Sequence, residues 1–366
     1  MEELRRLVCL QVAAVSCWAL LLAVARGEPQ VPCYFIFGDS LVDNGNNNYI
    51  VSLARANYPP YGIDFAGGPS GRFTNGLTTV DVIAQLLGFD NFIPPFAGTS
   101  GDQILNGANF ASAAAGIRAE TGQQLGGRIP FAGQVQNYQT AVQTMVNILG
   151  DEDTASERLS KCIFSVGMGS NDYLNNYFMP AFYNTGSRYT PEQFAELAHR
   201  RLPAVPAGAL QLRRAQGGDD RGGPGRVQPQ RAGTVQPRRQ HLRRAHRQRH
   251  PHLQPPTRRP RRRVQRAARR ALYRTSTRTT SSVTSSPTPQ SYGFSVTNAG
   301  CCGVGRNNGQ VTCLPYQAPC ANRDQHIFWD AFHPSEAANI IVGRRSYRAQ
   351  SPNDAYPMDI STLASI

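Results

Sequence analysis

Three short apolar runs rich in aromatic and β-branched residues punctuate the first half of the chain, at 34–37, 109–111 and 162–166. Their length and bounding turn residues predict buried strands. Between and after them, apolar positions recur at helical spacing over 77–87, 134–149 and 191–201, the last with Pro191 where a first helical turn tolerates proline. Strands alternating with helices predict an α/β domain with a mostly parallel sheet covered on both faces. Ligands of such sheets bind beyond the carboxyl ends of the strands. Ser40 follows the first run and Asn171 the third, so both are expected on one rim.

The pattern collapses over 202–290. From Ala204 to Gln290 there is no Phe, Ile, Met, Trp, Cys, Asn, Lys or Glu. Arg200 to Arg278 holds 23 arginines and two acids, Asp219 and Asp220, a local charge of +21 in a chain of +14. The remainder therefore carries −7, and the basic pI describes one segment only. No periodicity of 3.6 or 2 survives there, and so little apolar surface does not offset ordering entropy, which predicts disorder. A basic arm for nucleic acid, a linker, and GC-rich codons read out of frame all fit the composition. The abrupt return of globular sequence at Ser291-Tyr292-Gly293-Phe294, and a single lysine against 37 arginines, favour the third. No nucleic-acid partner is expected.

Arg5-Arg6, an apolar run over 7–24 and small residues at Ala23-Val24-Ala25 match a secretory signal peptide, with cleavage after Ala25 or, second, Gly27. The run is short for a span and contains Cys, Ser and Gln. A secreted protein with no integral membrane segment after cleavage is expected. Removal of the leader takes Cys9 and Cys17 and leaves Cys33, Cys162, Cys301, Cys302, Cys313 and Cys320, an even number that suits disulfides in an oxidising compartment. Spacing alone assigns no pairing. The C-terminal cysteines lack paired histidines nearby, so a zinc site is not expected.

Candidate chemistry lies at the two ends. Phe35-Ile36-Phe37-Gly38-Asp39-Ser40-Leu41-Val42-Asp43 leaves a serine hydroxyl at the tip of a strand, and Phe328-Trp329-Asp330-Ala331-Phe332-His333-Pro334 sets a carboxylate three residues before an imidazole. A nucleophile, a base and an acid that orients the base are what serine hydrolysis requires. Taken singly, Ser40 reads equally as a helix cap and Gly169-Ser170-Asn171-Asp172 as a turn. Of seven histidines only His333 has an acid at −3 and a proline after it.

Together with Val166-Gly167-Met168-Gly169-Ser170-Asn171-Asp172-Tyr173 and 107–116, Gly-Ala-Asn-Phe-Ala-Ser-Ala-Ala-Ala-Gly, these blocks resemble the GDSL esterase/lipase family of plants, within the SGNH hydrolases. The resemblance covers about 33–201 and 291–366. It implies a three-layer α/β/α, flavodoxin-like SGNH-hydrolase fold with a mostly parallel sheet, its middle portion disrupted, divided as signal peptide 1–25, N-terminal part 26–201, aberrant segment 202–290 and C-terminal part 291–366. It implies hydrolysis of an ester or lipid substrate, with Ser40 as nucleophile, His333 as general base then acid, and Asp330 orienting it. The oxyanion hole would comprise the Ser40 amide, Asn171 and a glycine amide, Gly116 in preference to Gly107. No metal or organic cofactor is implied, and oligomeric state is left open. Two readings from other classes stand beside it: an inactive product of a frame-shifted gene, and a basic cell-wall binding protein.

Overall fold

The computed structural model describes residues 27–200 and 289–366, so the leader and nearly all of 202–290 lie outside the described residues. The chain is an α/β protein. Strand β1 (Tyr34–Gly38) pairs in parallel with β2 (Ile163–Gly167), Tyr34 opposite Ile163 and Gly38 opposite Gly167. Helices α1 (Thr79–Leu86), α2 (Phe131–Leu149) and α3 (Glu152–Ser160) lie between them, α4 (Pro191–Arg200) follows, and β3 (Val296–Gly300), β4 (His326–Phe328) and α5 (Glu336–Tyr347) come from the C-terminal part. β3 and β4 are also parallel, so the described strands form two two-stranded sheets.

β1 is buried along its whole length, as its unbroken apolar run predicts. Phe35 stacks on Phe164 at 5.2 Å, and Phe37 meets Phe110 at 5.0 Å and Tyr138 of α2 edge-on at 5.7 Å. The Tyr34 hydroxyl is satisfied by Ser165 Oγ at 2.6 Å, so a polar pair closes the otherwise apolar β1–β2 contact. Cys33 and Cys162, immediately before the two strands, form a disulfide.

Two expected elements differ. The 109–111 strand is reduced to single parallel bridges from Asn109 to Ile36 and Pro95. Asn109 spends its side chain on its own surroundings, accepting from Ala111 N at 2.9 Å and donating to the Val42 carbonyl at 2.6 Å. The helix expected from 134 begins three residues earlier, at Phe131, directly after Pro130.

Local chemistry sets the helix starts. Thr78 and Asp81 form a capping box at α1, and buried Asp81 pairs with Arg72 at 2.7 Å. Asp151 caps α3 through Thr154 N at 2.7 Å. Ser335, two residues after His333, caps α5 through Ala338 N at 3.3 Å and donates to the His326 carbonyl at 2.6 Å, so the helix starts at Glu336. Glu336 then accepts from Leu77 N at 2.9 Å, and Asn339 donates to the Leu77 carbonyl at 2.9 Å, docking α5 on the start of α1.

Candidate active site

The strand register places the first blocks side by side. Gly38 and Gly167 end β1 and β2 level with each other, and Ser40 and Asn171 follow within two and four residues. The end of β1 is held by a side chain acting as a neighbouring strand would. Gln134 of α2 accepts from Gly38 N at 3.0 Å and donates to the Gly38 carbonyl at 2.8 Å. Beyond it the chain closes a turn, with Val42 N and Asp43 N both donating to the Asp39 carbonyl at 3.2 and 3.0 Å. Ser40 therefore sits in a turn and not at the start of a regular helix. Asp43 ties this turn to the neighbouring segment, accepting from Gly45, Asn46 and Ala113 N, each at 2.9 Å. Burial pushes the Asp43 carboxyl up to about 6 against the pull of those N–H donors.

The second block arrives by a different route. Cys301 N and Cys302 N donate to the Phe328 and Trp329 carbonyls at 3.1 and 2.7 Å, extending the β3–β4 pairing up to Asp330. There the chain reverses. Asp330 Oδ1 accepts from Phe332 N at 2.8 Å and His333 N at 2.9 Å, and Trp329 N donates to the His333 carbonyl at 2.8 Å. The carboxylate thus caps the turn that carries the imidazole, which is how an Asp-x-x-His spacing brings the two groups together.

His333 Nδ1 lies 2.7 Å from Asp330 Oδ1 and 2.9 Å from Oδ2, and His333 Nε2 lies 2.8 Å from Ser40 Oγ. A carboxylate only accepts, so Nδ1 carries the proton of the neutral ring, Nε2 is the acceptor and the Ser40 hydroxyl donates. Asp330 and His333 are buried, and Ser40 keeps partial access to solvent. Burial raises the Asp330 carboxyl, but the His333 charge and the hydrogen bonds from His333 and Tyr61 outweigh it and hold the group below its ordinary value. Asp330 is thus an anion poised to stabilise an imidazolium.

Asn171 Nδ2 donates to the Ala115 carbonyl at 3.0 Å, beside Gly116, while its Oδ1 accepts from Asn175 at 2.6 Å. The next residue, Asp172, fixes the loop after Gly116, accepting from Ile117 N, Arg118 N and Thr121 Oγ1 at 2.8, 3.0 and 2.8 Å. A Cβ at Gly116 would meet Thr121 Cγ2 at 2.5 Å and Asp172 Oδ1 at 2.7 Å. Gly107 lies elsewhere: its φ is +110° and a Cβ would fall 1.9 Å from the Tyr34 carbonyl oxygen, at the opposite end of β1 from Ser40. Close backbone packing accounts for Gly107.

Sequence reasoning missed the shell around the imidazole. Tyr61 donates to Asp330 Oδ2 at 2.5 Å, and the Phe73 ring centroid lies 5.0 Å from that of His333. Both come from an irregular loop with no periodic signal, more than 250 residues before the groups they touch. Gln134 was legible only as a helix residue. The C-terminal cysteines form Cys301–Cys320 and Cys302–Cys313, so all six cysteines outside the leader are paired. Cys301, Cys320 and His326 bring possible ligand atoms within 4.8 Å of one another, but the two sulfurs are joined and supply no thiolate.

The profile of the family described as GDSL-like Lipase/Acylhydrolase matches residues 34–346. Three Arabidopsis thaliana proteins, each named GDSL esterase/lipase, are 52%, 51% and 51% identical to this chain. The matches cover 98%, 98% and 100% of it and 99%, 99% and 100% of the relatives. A serine–imidazole–carboxylate chain at the rim of an α/β fold, with relatives of this kind, defines a carboxylic ester hydrolase. The chain belongs to the GDSL esterase/lipase family. These likenesses favour neither the inactive-product reading nor the cell-wall binder. Among the described residues no helix is long and apolar enough to cross a membrane.

Proposed function

We propose that the protein is a secreted serine esterase or lipase of the three-layer SGNH type. Ser40 Oγ attacks the acyl carbon of an ester or lipid substrate while its proton passes to His333 Nε2. The tetrahedral oxyanion is held by the Ser40 and Gly116 amides and by the second Nδ2 hydrogen of Asn171. Collapse expels the alcohol, which leaves with the proton from Nε2. Water, deprotonated by the same nitrogen, then releases the acid and restores Ser40. Asp330 orients the ring and stabilises the imidazolium formed at each step. No cofactor enters.

The observation that carries this reading is the continuous contact Ser40 Oγ–His333 Nε2–Asp330, at 2.8 and 2.7 Å. Its test is labelling of the full chain with a fluorophosphonate probe, together with turnover of a short-chain aryl ester. Ser40→Ala should lose both, and turnover equal to wild type would overturn the assignment. Export is read from residues 1–25 and is tested by the N-terminal sequence of the protein recovered outside cells, expected to begin at Arg26 or Glu28. The division into 26–201, 202–290 and 291–366 belongs to the same reading, and translating the nucleotide sequence under 202–290 in its other two frames tests it.

A further inference from the structure

Asp330 needs more than its own turn to hold His333. The Phe332 and His333 amides engage Oδ1 alone, so Oδ2 would be a buried anionic oxygen facing only the imidazole edge. The donor that reaches it is Tyr61, whose hydroxyl lies 2.5 Å away from a residue 269 positions earlier in the chain. Tyr61 is 1% exposed. Its ring is wedged among Tyr58, Phe73 and Trp329, with centroids at 5.4, 5.7 and 6.5 Å. The loop that carries it is tied to the C-terminal part independently of Asp330. Tyr58 donates to the Cys313 carbonyl at 2.9 Å, Tyr316 N donates to the Pro59 carbonyl at 2.8 Å, and Arg323 forks onto Asp64 at 2.6 and 2.9 Å.

We infer that Tyr61 is a positioning residue for ester hydrolysis: its phenol fixes the rotation of the Asp330 carboxylate and withdraws charge from Oδ2, and so sets the orientation and basicity of His333. The inference rests on the proposed roles of Ser40, His333 and Asp330. Two donors on Oδ1 and one on Oδ2 hold the carboxylate in the plane that meets Nδ1 squarely, and a hydrogen bond to an anion in a dry site is strong. Burial, the Asp330 charge and the hydrogen bond all push the Tyr61 phenol well above its ordinary value, so it remains a donor wherever the enzyme works. Among the described residues, the other titratable or charged groups facing this pair are His333 and Tyr58, with Arg55 beyond Tyr58.

Loss of the hydroxyl has two consequences. The freed carboxylate rotates, which lowers turnover, and the greater charge left on it favours the imidazolium, which moves the acid limb of the pH–rate profile to higher pH. A residue that merely filled space would do neither. The experiment is Tyr61→Phe in the full chain, with kcat and KM for a short-chain aryl ester measured across pH. We expect kcat to fall roughly tenfold with KM little changed, the scale of one hydrogen bond to a charged group. The acid limb should rise by roughly half a unit. A variant with wild-type kcat and an unmoved limb overturns the inference, even if its melting temperature falls. 3-Fluorotyrosine incorporated at position 61 keeps the ring and strengthens the donor, so its limb should move the opposite way, and no movement also overturns the inference. A parallel Ser40→Ala control that still turned over ester would instead remove the reading beneath it.

Discussion

Asn171 donates to the Ala115 carbonyl at 3.0 Å, which fixes its side-chain amide at the carboxyl-end rim and leaves its second Nδ2 hydrogen to be directed elsewhere. Its carbonyl is committed to Asn175, so the amide cannot flip without losing both bonds. A donor preset in this way acts on charge that develops only in the transition state. Asn171→Ala is expected to lower kcat by about 10²–10³ with KM little changed, the usual scale for one oxyanion donor. Steady-state kinetics separate this from substrate binding, in which KM alone would rise.

Gly107 and Gly116, equivalent candidates in sequence, separate in space. At Gly107 a side chain meets the Tyr34 backbone, at 1.9 Å from the carbonyl oxygen, and φ of +110° is strained for any L residue. Gly107→Ala should therefore destabilise the fold by about 3 kcal/mol or more, while Ser40 of the remaining folded protein labels normally with the fluorophosphonate probe. At Gly116 the obstacle includes the Asp172 carboxylate, adjacent to Asn171, so Gly116→Ala should impair turnover as well as stability. Equal kinetic effects of the two substitutions would contradict the separation.

What the sequence made legible follows from how local each signal is. β1 was readable because a strand buried on both faces is an unbroken apolar run, β2 because Ile163, Phe164 and Val166 keep that character around the single polar Ser165, and Asp330 and His333 because one turn joins them. α3 was not readable by periodicity, since only Ala155 and Leu159 of Glu152–Ser160 are buried; its one signal is the Asp151 cap. Tyr61 and Phe73 were illegible because loop residues acquire meaning from partners that the chain brings up from its far end. Disulfide partners were illegible for the same reason. Cys33 and Cys162 are separated by 129 residues and meet because their strands pair.

That pairing gives Cys33–Cys162 a definite role. It closes a long loop ahead of the two strands that carry Ser40 and Asn171 to the rim. A crosslink of this span is expected to contribute about 3–5 kcal/mol, chiefly by restricting the unfolded chain. The double variant Cys33→Ala, Cys162→Ala should melt well below wild type. At low temperature its kcat should remain close to wild type, since neither sulfur touches the site. A lost kcat at unchanged melting temperature would reverse the assignment.

Acid should expose the Asp330 network. Its carboxyl is held below the ordinary 3.8, with burial opposing and the His333 and Tyr61 contacts prevailing. A group lowered in the folded state contributes stability that is fully present above its unfolded value and is lost as pH falls through its folded value. Asp330→Asn removes the titrating group while keeping its size. The stability advantage of wild type over Asp330→Asn, measured by urea denaturation, should therefore be largest above about pH 5 and shrink as the pH is lowered below about 4. An advantage that stays constant or grows on acidification would mean that Asp330 is not stabilised as an anion in the folded protein, and the orienting role assigned to it would fall.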